Sequence, residues 1–290
     1  MANFIRFSER KVSEAESALL TPLVTIEDRA PEAGWIGIGN AWTRRFYDGA
    51  FYIARDADTD SPGATAPLIS LVFVQSRDGN TGADDPGVLG GGPVDQHLIY
   101  EGLSRVAVDA VLAGGKTTEG DEVFFSIWHP QLVALRTKLG LGRHPAQIVV
   151  TGSGSVDLER SLVFNVPDVP VFILASPDGC RRLEQAVSRR PHIELVPIAS
   201  ADLRPGLEYL RRARGIRRIS SIGGRRTASA LIDEGLVQEL TLTTTARHGG
   251  EPDTPFYLGT TPPSLTPLVR KRGTDPEFPI LVEQSAITDH

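Results

Sequence analysis

The sequence predicts an α/β protein built on a mixed, mostly parallel sheet with helices on both faces. Three observations predict it. From Leu68 onward, short runs of apolar and β-branched residues alternate with stretches of helical spacing. The runs are apolar at consecutive positions rather than at every second one, so both faces of each strand are covered. Three of the runs end in glycine, at the strand end where such sheets gather their ligands.

Each element follows in order. Residues 1–65 read as an extension that packs on the main domain or on a dimer partner, and residues 66–290 as the main domain. Within the extension, "GWIGIGNAWTRRFYDGAFYIARD" alternates around "YDG", which fits a strand pair with a turn. Residues 56–67, with Pro62, Gly63 and Pro67, read as a loop. "LISLVFVQ" is a buried strand. "VDQHLIYEGLSRVA" sets Ile99, Leu103 and Val106 at helical spacing. "VDAVLAGG" is a strand, "HPQLVALRTKLG" a short helix, and "AQIVVTGSG" and "VPVFILAS" are strands. "DGCRRLEQAVSRR" is a helix and "HIELVPI" a strand. "LRPGLEYLRRARG" is a helix stopped by Gly215, and "IRRISSIGG" is a strand. "RTASALIDEGL" is a helix and "VQELTLTTTARH" a strand. "FPILVEQSAI" reads as a last edge strand.

Composition removes several classes of function. The chain has 290 residues and a formal net charge of −6, which argues against a general nucleic-acid binder with a basic face. Its one cysteine, Cys180, makes no internal disulfide or zinc set and sits where a helix begins. The N-terminus lacks the apolar core of a signal peptide, and no run approaches a membrane span. A cytoplasmic protein without membrane contact is the expectation. The six histidines are scattered, and the acids Asp84 and Asp85 lack partners at ligand spacing, so no metal is expected. No G-x-S-x-G elbow and no G-x-G-x-x-G fingerprint is present.

The candidate sites follow the glycine-ended strands. Gly223 and Gly224 let backbone amides approach a ligand. The next helix opens at Arg225, Arg226 and Thr227, where free N–H groups and two guanidiniums favour an anion such as a pyrophosphate. The same residues also make an ordinary strand–helix turn with solvated arginines. "LAGGKTTEGDE" offers Thr117, Thr118 and Asp121 to a ribose or amide, or a helix cap. "TGSGS" offers Ser153 and Ser155 to a phosphate, or makes a plain polar loop.

The order of these motifs adds specificity. "LVFVQSRDGNTG", "SRVAVDAVLAGGKTTEGDE", "QIVVTGSGS" and "IGGRRTASALIDEGLVQELTLTTTARHGG" together resemble the C-terminal reductase domain of the bifunctional riboflavin biosynthesis proteins. That domain has a dihydrofolate-reductase-like fold, and the resemblance runs from about Leu68 to the C-terminus. It implies NADPH bound along the carboxyl edge of the sheet. Thr117, Asp121 and Ser153 would contact the cofactor, and Gly223, Gly224, Arg225, Arg226 and Thr227 its diphosphate. It also implies a homodimer and a small-molecule substrate. Arg105 matches a substrate arginine of the family. The family's glutamate before Gly-Gly is Ile222 here, and Trp128 stands where a second substrate arginine belongs. Phe125 and Trp128 are therefore expected at a flatter, more apolar substrate, or in the core. The candidate catalytic proton donor is Asp78, in the family's S-L-D-G position, or a bound water.

The expected function is NADPH-dependent hydride transfer to a C=N or C=O of a pyrimidine- or pteridine-like substrate. The family default is 5-amino-6-(5-phosphoribosylamino)uracil. A nucleotide-binding homologue without catalysis and a dihydrofolate reductase proper are the alternatives.

Overall fold

The computed structural model describes residues 2–29, 34–56, 65–83, 86–199 and 202–288. Most of the predicted loop at residues 56–67, and both Asp84 and Asp85, lie outside the described residues. A ten-stranded sheet runs in the order β1-β11-β12-β10-β4-β9-β5-β6-β7-β8. Its strands are β1 (Leu23–Asp28), β4 (Leu68–Gln75), β5 (Ala110–Gly114), β6 (Ala146–Thr151), β7 (Val171–Ala175), β8 (Ile193–Pro197), β9 (Arg218–Ser221), β10 (Val237–Thr245), β11 (Ser264–Gly273) and β12 (Ile280–Thr288). From β10 to β8 every neighbouring pair is parallel. The other three strands are antiparallel to their neighbours. A small second sheet pairs β2 (Trp35–Ile38) with β3 (Phe51–Ala54).

Helices cover both faces. On one face Leu71, Leu112, Ile148 and Ile219 pack against Leu207 and Leu210 of α6 (Arg204–Arg214) and Leu231 of α7 (Arg225–Asp233). On the other, Val72, Val111 and Val282 pack against Leu98, Ile99 and Leu103. These three belong to a helical segment, Val94–Leu103, that is wound in π form and continued by α3 (Ser104–Val106). Leu132 and Leu135 of α4 (Pro130–Lys138) join the same cluster.

Local chemistry sets the ends of these helices. α5 (Pro177–Val187) starts where the Ser176 hydroxyl accepts from Gly179 N and Pro177 occupies the first turn. α6 stops at Gly215, which takes φ 69° and so reaches a backbone region that favours glycine.

The N-terminal part differs from expectation. Residues 2–17 form a helix, α1 (Ala2–Ser17), whose Phe7 and Ala15 are buried against Phe124, Trp128, Leu162, Val166 and Val169. Its apolar face is only four residues wide, interrupted by charges, so its periodicity was faint. Lys11 extends that face and reaches Glu101 Oε1 at 2.7 Å. β1 is a true member of the main sheet, paired with β11. The predicted strand pair is present as β2 and β3, but α2 (Ala41–Phe46) and a turn fill the space between them.

At the C-terminus, β12 is not an edge strand: β11 lies outside it and β1 outside that. Pro267 and the run Arg270-Lys271-Arg272 hid β11 from a strand reading. The structure accommodates both. Pairing with β12 shifts register between Pro267 and Val269. Lys271 is 1 % exposed, with Nζ donating to Thr25 Oγ1 and Asp48 O, each at 2.8 Å.

Arg136 ties α4 to the start of β5. It is 2 % exposed and donates to the backbone oxygens of Gly142 (2.5 Å), Val108 (2.7 Å), Val106 (3.3 Å) and Arg105 (3.3 Å). Replacing Arg136→Met removes these donors and leaves buried carbonyls unpaired. We expect a loss of about 2–4 kcal/mol in urea unfolding, since breaking a buried polar network is strongly destabilising.

Candidate functional site

Strand order brings the glycine motifs together. β9, β5 and β6 lie side by side, although in the chain β7, β8 and two helices separate the end of β6 at Thr151 from the start of β9 at Arg218. Their carboxyl ends carry Gly223-Gly224, Gly114-Gly115 and Gly152-Ser153-Gly154. A Cβ built on Gly114 stands 3.6 Å from Thr227 Oγ1, and one built on Gly224 stands 3.5 Å from the same atom. A Cβ on Gly115 stands 3.4 Å from Thr151 Cβ. The three strand ends thus share one small area.

Gly223 (φ 125°) and Gly224 (φ 80°) hold the turn in conformations that disfavour side chains, and a Cβ on Gly223 would meet nothing within 4 Å. The space on the Cβ side of Gly223 is therefore open. Gly224 is the N-cap of α7 and supplies no side-chain hydrogen bond to the helix start. The first N–H groups of α7 are left for an outside acceptor. Arg226 is exposed and Arg225 half-buried. Arg225 Nη2 lies 3.8 Å from Glu251 Oε2, a weak surface pair that an anion can replace.

The "TGSGS" loop is fixed by close backbone contact. A Cβ on Gly154 would stand 2.5 Å from Gly179 O at the start of α5. Ser153 Oγ accepts from Ser155 N at 3.2 Å, and Ser153 O accepts from Arg182 Nη1 at 3.2 Å. Thr117 lies in the turn Gly115–Thr118 directly after β5, where Thr118 Oγ1 donates to Gly115 O at 2.7 Å. Asp121 is placed differently. It is exposed and lines a cleft of about 380 Å³ with Asn3, Phe4, Glu159, Arg160, Leu162 and Asn165.

The proposed substrate residues separate into two groups. Arg105 and Phe125 meet, with the guanidinium 5.7 Å from the Phe125 ring and 4.4 Å from the Tyr100 ring. Arg105 is 2 % exposed; Nη1 donates to Ser126 O at 3.1 Å. Its Nε and Nη2 find no hydrogen-bond partner among the described residues. Phe125 itself belongs to the core cluster beneath the helical segment. Trp128 is apart from both, 1 % exposed and set edge-on to Phe7 of α1 with ring centres 5.5 Å apart. α1 seals the Trp128 indole into the core.

Asp78, the candidate proton donor, lies at the surface. It is exposed beside the carboxyl ends of β4 and β10. Its carboxylate accepts from Gly249 N (3.0 Å) and pairs with His248 Nδ1 (2.7 Å). These bonds hold its pKa below the usual aspartate value, the backbone one most strongly. At neutral pH Asp78 is a carboxylate with no proton to give. Cys180 offers no nucleophile, since burial pushes its thiol pKa up.

A carboxyl that the sequence did not single out is Asp95, in "GGGPVDQHL". It is 8 % exposed, in the first turn of the helical segment. Burial raises its pKa to about 6, while Thr243 on β10 pulls the other way. Nothing in the local sequence marks it, because its burial depends on a strand that follows 140 residues later in the chain.

The layered, mostly parallel α/β fold with a glycine-lined carboxyl edge places the chain among proteins that hold small ligands across strand ends. The family of RibD C-terminal domains matches residues 67–270, and the chain belongs to that family. Solved structures share the fold. A pyrimidine reductase-like protein from Corynebacterium diphtheriae is 18% identical, with 77% of this chain and 93% of that one covered and a TM-score of 0.60. RibD from Acinetobacter baumannii is 15% identical over 78% of this chain and 59% of that one, at TM-score 0.63. A riboflavin biosynthesis reductase from Saccharomyces cerevisiae is 15% identical over 79% and 94%, at TM-score 0.51. No curated protein matches the sequence. Among the described residues, no helix is long and apolar enough to cross a membrane.

Gly154→Ala tests how the loop is held. The clash is with backbone, at a residue whose φ is already +71°. Thermal unfolding is expected to show a loss on the order of 2–4 kcal/mol, from strain and forced separation of the loop and α5.

Proposed function

We propose that the protein is an NADPH-dependent reductase of the riboflavin-pathway pyrimidine reductase type. It transfers hydride to a C=N or C=O carbon of a pyrimidine- or pteridine-like substrate, for which 5-amino-6-(5-phosphoribosylamino)uracil is the family default. The reading rests on family membership together with one observation: the uncapped start of α7 behind Gly223-Gly224, with two arginines beside it.

The residues present suit the cofactor. The open space beside Gly223 and the first-turn N–H groups of α7, which no side chain caps, would take a diphosphate, with Arg225 and Arg226 adding charge-assisted bonds. Thr117 and Ser153 sit on the two neighbouring strand ends and would take ribose and phosphate oxygens. When bound, the dihydronicotinamide supplies the hydride; the chain supplies position and electrostatics. Asp121, in its separate cleft, belongs to this cofactor set only if the ligand extends toward α1. On the substrate side, Arg105 is the surviving cation, and its two unpaired nitrogens favour an acceptor oxygen nearby. A homodimer, a cytoplasmic location, and a division between residues 65 and 66 complete the proposal.

Titration with NADPH and NADH by calorimetry tests it. We expect NADPH to bind, and Arg225→Ala with Arg226→Ala to weaken binding about 10- to 10,000-fold, from one or two charged hydrogen bonds of about 1.5–3 kcal/mol each. Failure of the wild-type protein to bind either nucleotide rules the reading out.

A further inference from the structure

We infer that Arg247 determines substrate specificity, by gripping an oxyanion (a carboxylate or a phosphate) carried by the heterocyclic substrate. The inference rests on the reductase reading above and adds to it the group that selects among substrates.

Strand order locates the substrate. Along the carboxyl edge the parallel strands stand in the order β10-β4-β9-β5-β6-β7. The residues suited to the cofactor occupy the ends of β9, β5 and β6. A hydride acceptor has to lie against the cofactor, on one side or the other. On the β7 side the edge is closed, because Gly154 packs on Gly179 O at the start of α5. On the other side lie the ends of β4 and β10. They run on into Ser76-Arg77-Asp78 and Ala246-Arg247-His248.

Arg247 is fixed there from several directions. Its carbonyl accepts from Arg77 N at 2.8 Å, and its neighbour Ala246 donates N–H to Pro279 O at 3.1 Å. Its guanidinium stands over the Phe278 ring, 5.6 Å from the centre. The glycine turn 90–92 is shaped around this pair. A Cβ on Gly90 would run into the Arg247 stem, 2.7 Å from Nε, and one on Gly92 would stand 2.7 Å from Phe278 Cβ. Leu89, just before the turn, accepts from Thr245 Oγ1 of β10 at 2.6 Å. Turn, ring and arginine therefore form one unit at the end of β10.

The side chain is ready for an outside acceptor. Arg247 is exposed, and its guanidinium makes no hydrogen bond or ion pair with any described residue. The nearby described acids face other groups: Asp78 meets His248 and Gly249, and Glu251 meets Arg225. A guanidinium supported on an aromatic ring keeps its edge free, and that edge matches two oxygens of a carboxylate or phosphate at once. Arg105 is differently placed, 2 % exposed and set against the Tyr100 and Phe125 rings.

Two matched pairs of probes test the inference by calorimetry, on the protein alone and with NADP⁺ present. Orotate against uracil isolates a carboxylate, and uridine 5′-monophosphate against uridine isolates a phosphate. With NADP⁺ bound, the wild type should favour at least one charged probe about tenfold or more over its neutral counterpart, as one charged hydrogen-bonded pair provides. The pair that shows the preference names the oxyanion. Arg247→Gln should cut the preference to about twofold or less while leaving the NADPH Kd within about twofold. Arg247→Lys should restore part of it, since the charge returns without the planar fork. Phe278→Leu should lower it with the charge kept, because the guanidinium loses its support. With a turned-over charged substrate, Arg247→Gln should raise KM and leave kcat nearly unchanged, the mark of a grip made equally in ground and transition states.

Equal binding of charged and neutral probes by the wild type, no binding of any of them, or a preference that survives in Arg247→Gln overturns the inference. If NADPH binds and one of these results is found, this inference alone fails. If neither nucleotide binds the wild type, the reductase reading falls and the specificity role with it.

Discussion

The insertion of β9 between β4 and β5 is the constraint on which the site depends. A parallel strand satisfies its backbone only when both neighbours run alongside it, and both its faces must be covered. β9 meets the first need with β4 and β5. It meets the second with α6 and α7 below and the helical segment above. Because it arrives late in the chain, it brings Gly223-Gly224 to a place already flanked by Gly114-Gly115. Asp109 helps to fix this register, its Oδ2 accepting from Arg217 N and Arg218 N at 2.8 and 2.9 Å. Without β9 the two glycine turns would be separate loops, and α7 would have nothing to face.

The same sheet divides its labour by strand end and by distance from the centre. Central strands carry open glycines and short polar side chains at their carboxyl ends. The flanks are closed by aromatic and charged packing instead. α1 shows this on one side: Phe7 lies against Trp128 while Lys11 neutralises the buried Glu101. Lys271 shows it on the other, buried over the Tyr47 ring at 4.4 Å. A cation on an aliphatic stem can fill core space while its head meets oxygen atoms.

Most of the fold was legible because periodicity reports burial directly. β4, β5, β6 and β7 carry largely apolar runs, and each stands where its run does. α1 and β11 were missed for the converse reason. α1 buries one narrow face, and β11 buries a lysine and bends at a proline, so neither shows a clean apolar period. The glycine cradle was legible because glycine is chosen for backbone reasons that local sequence expresses. The surroundings of Trp128 and Asp78 were not legible because they come from distant segments: α1 for the first, the turn at His248 and Gly249 for the second. Asp95 went unseen for the same cause, since a carboxyl becomes special only through the strand set against it.

The pairing of β1 with β11 has a consequence for how the chain comes to be folded. Leu23 sits opposite Gly273, so β1 finds its partner only after the whole of the parallel sheet has been made. Every residue between the two strands must be synthesised before this edge can close. Until then β1 has no strand partner, with Val24 and Ile26 among its exposed apolar side chains. Contacts of such long sequence separation form slowly, because the loop between them has to be ordered first. The central strands, whose neighbours lie closer in sequence, can assemble earlier. Birth of the ligand-facing edge therefore precedes completion of the sheet's far border.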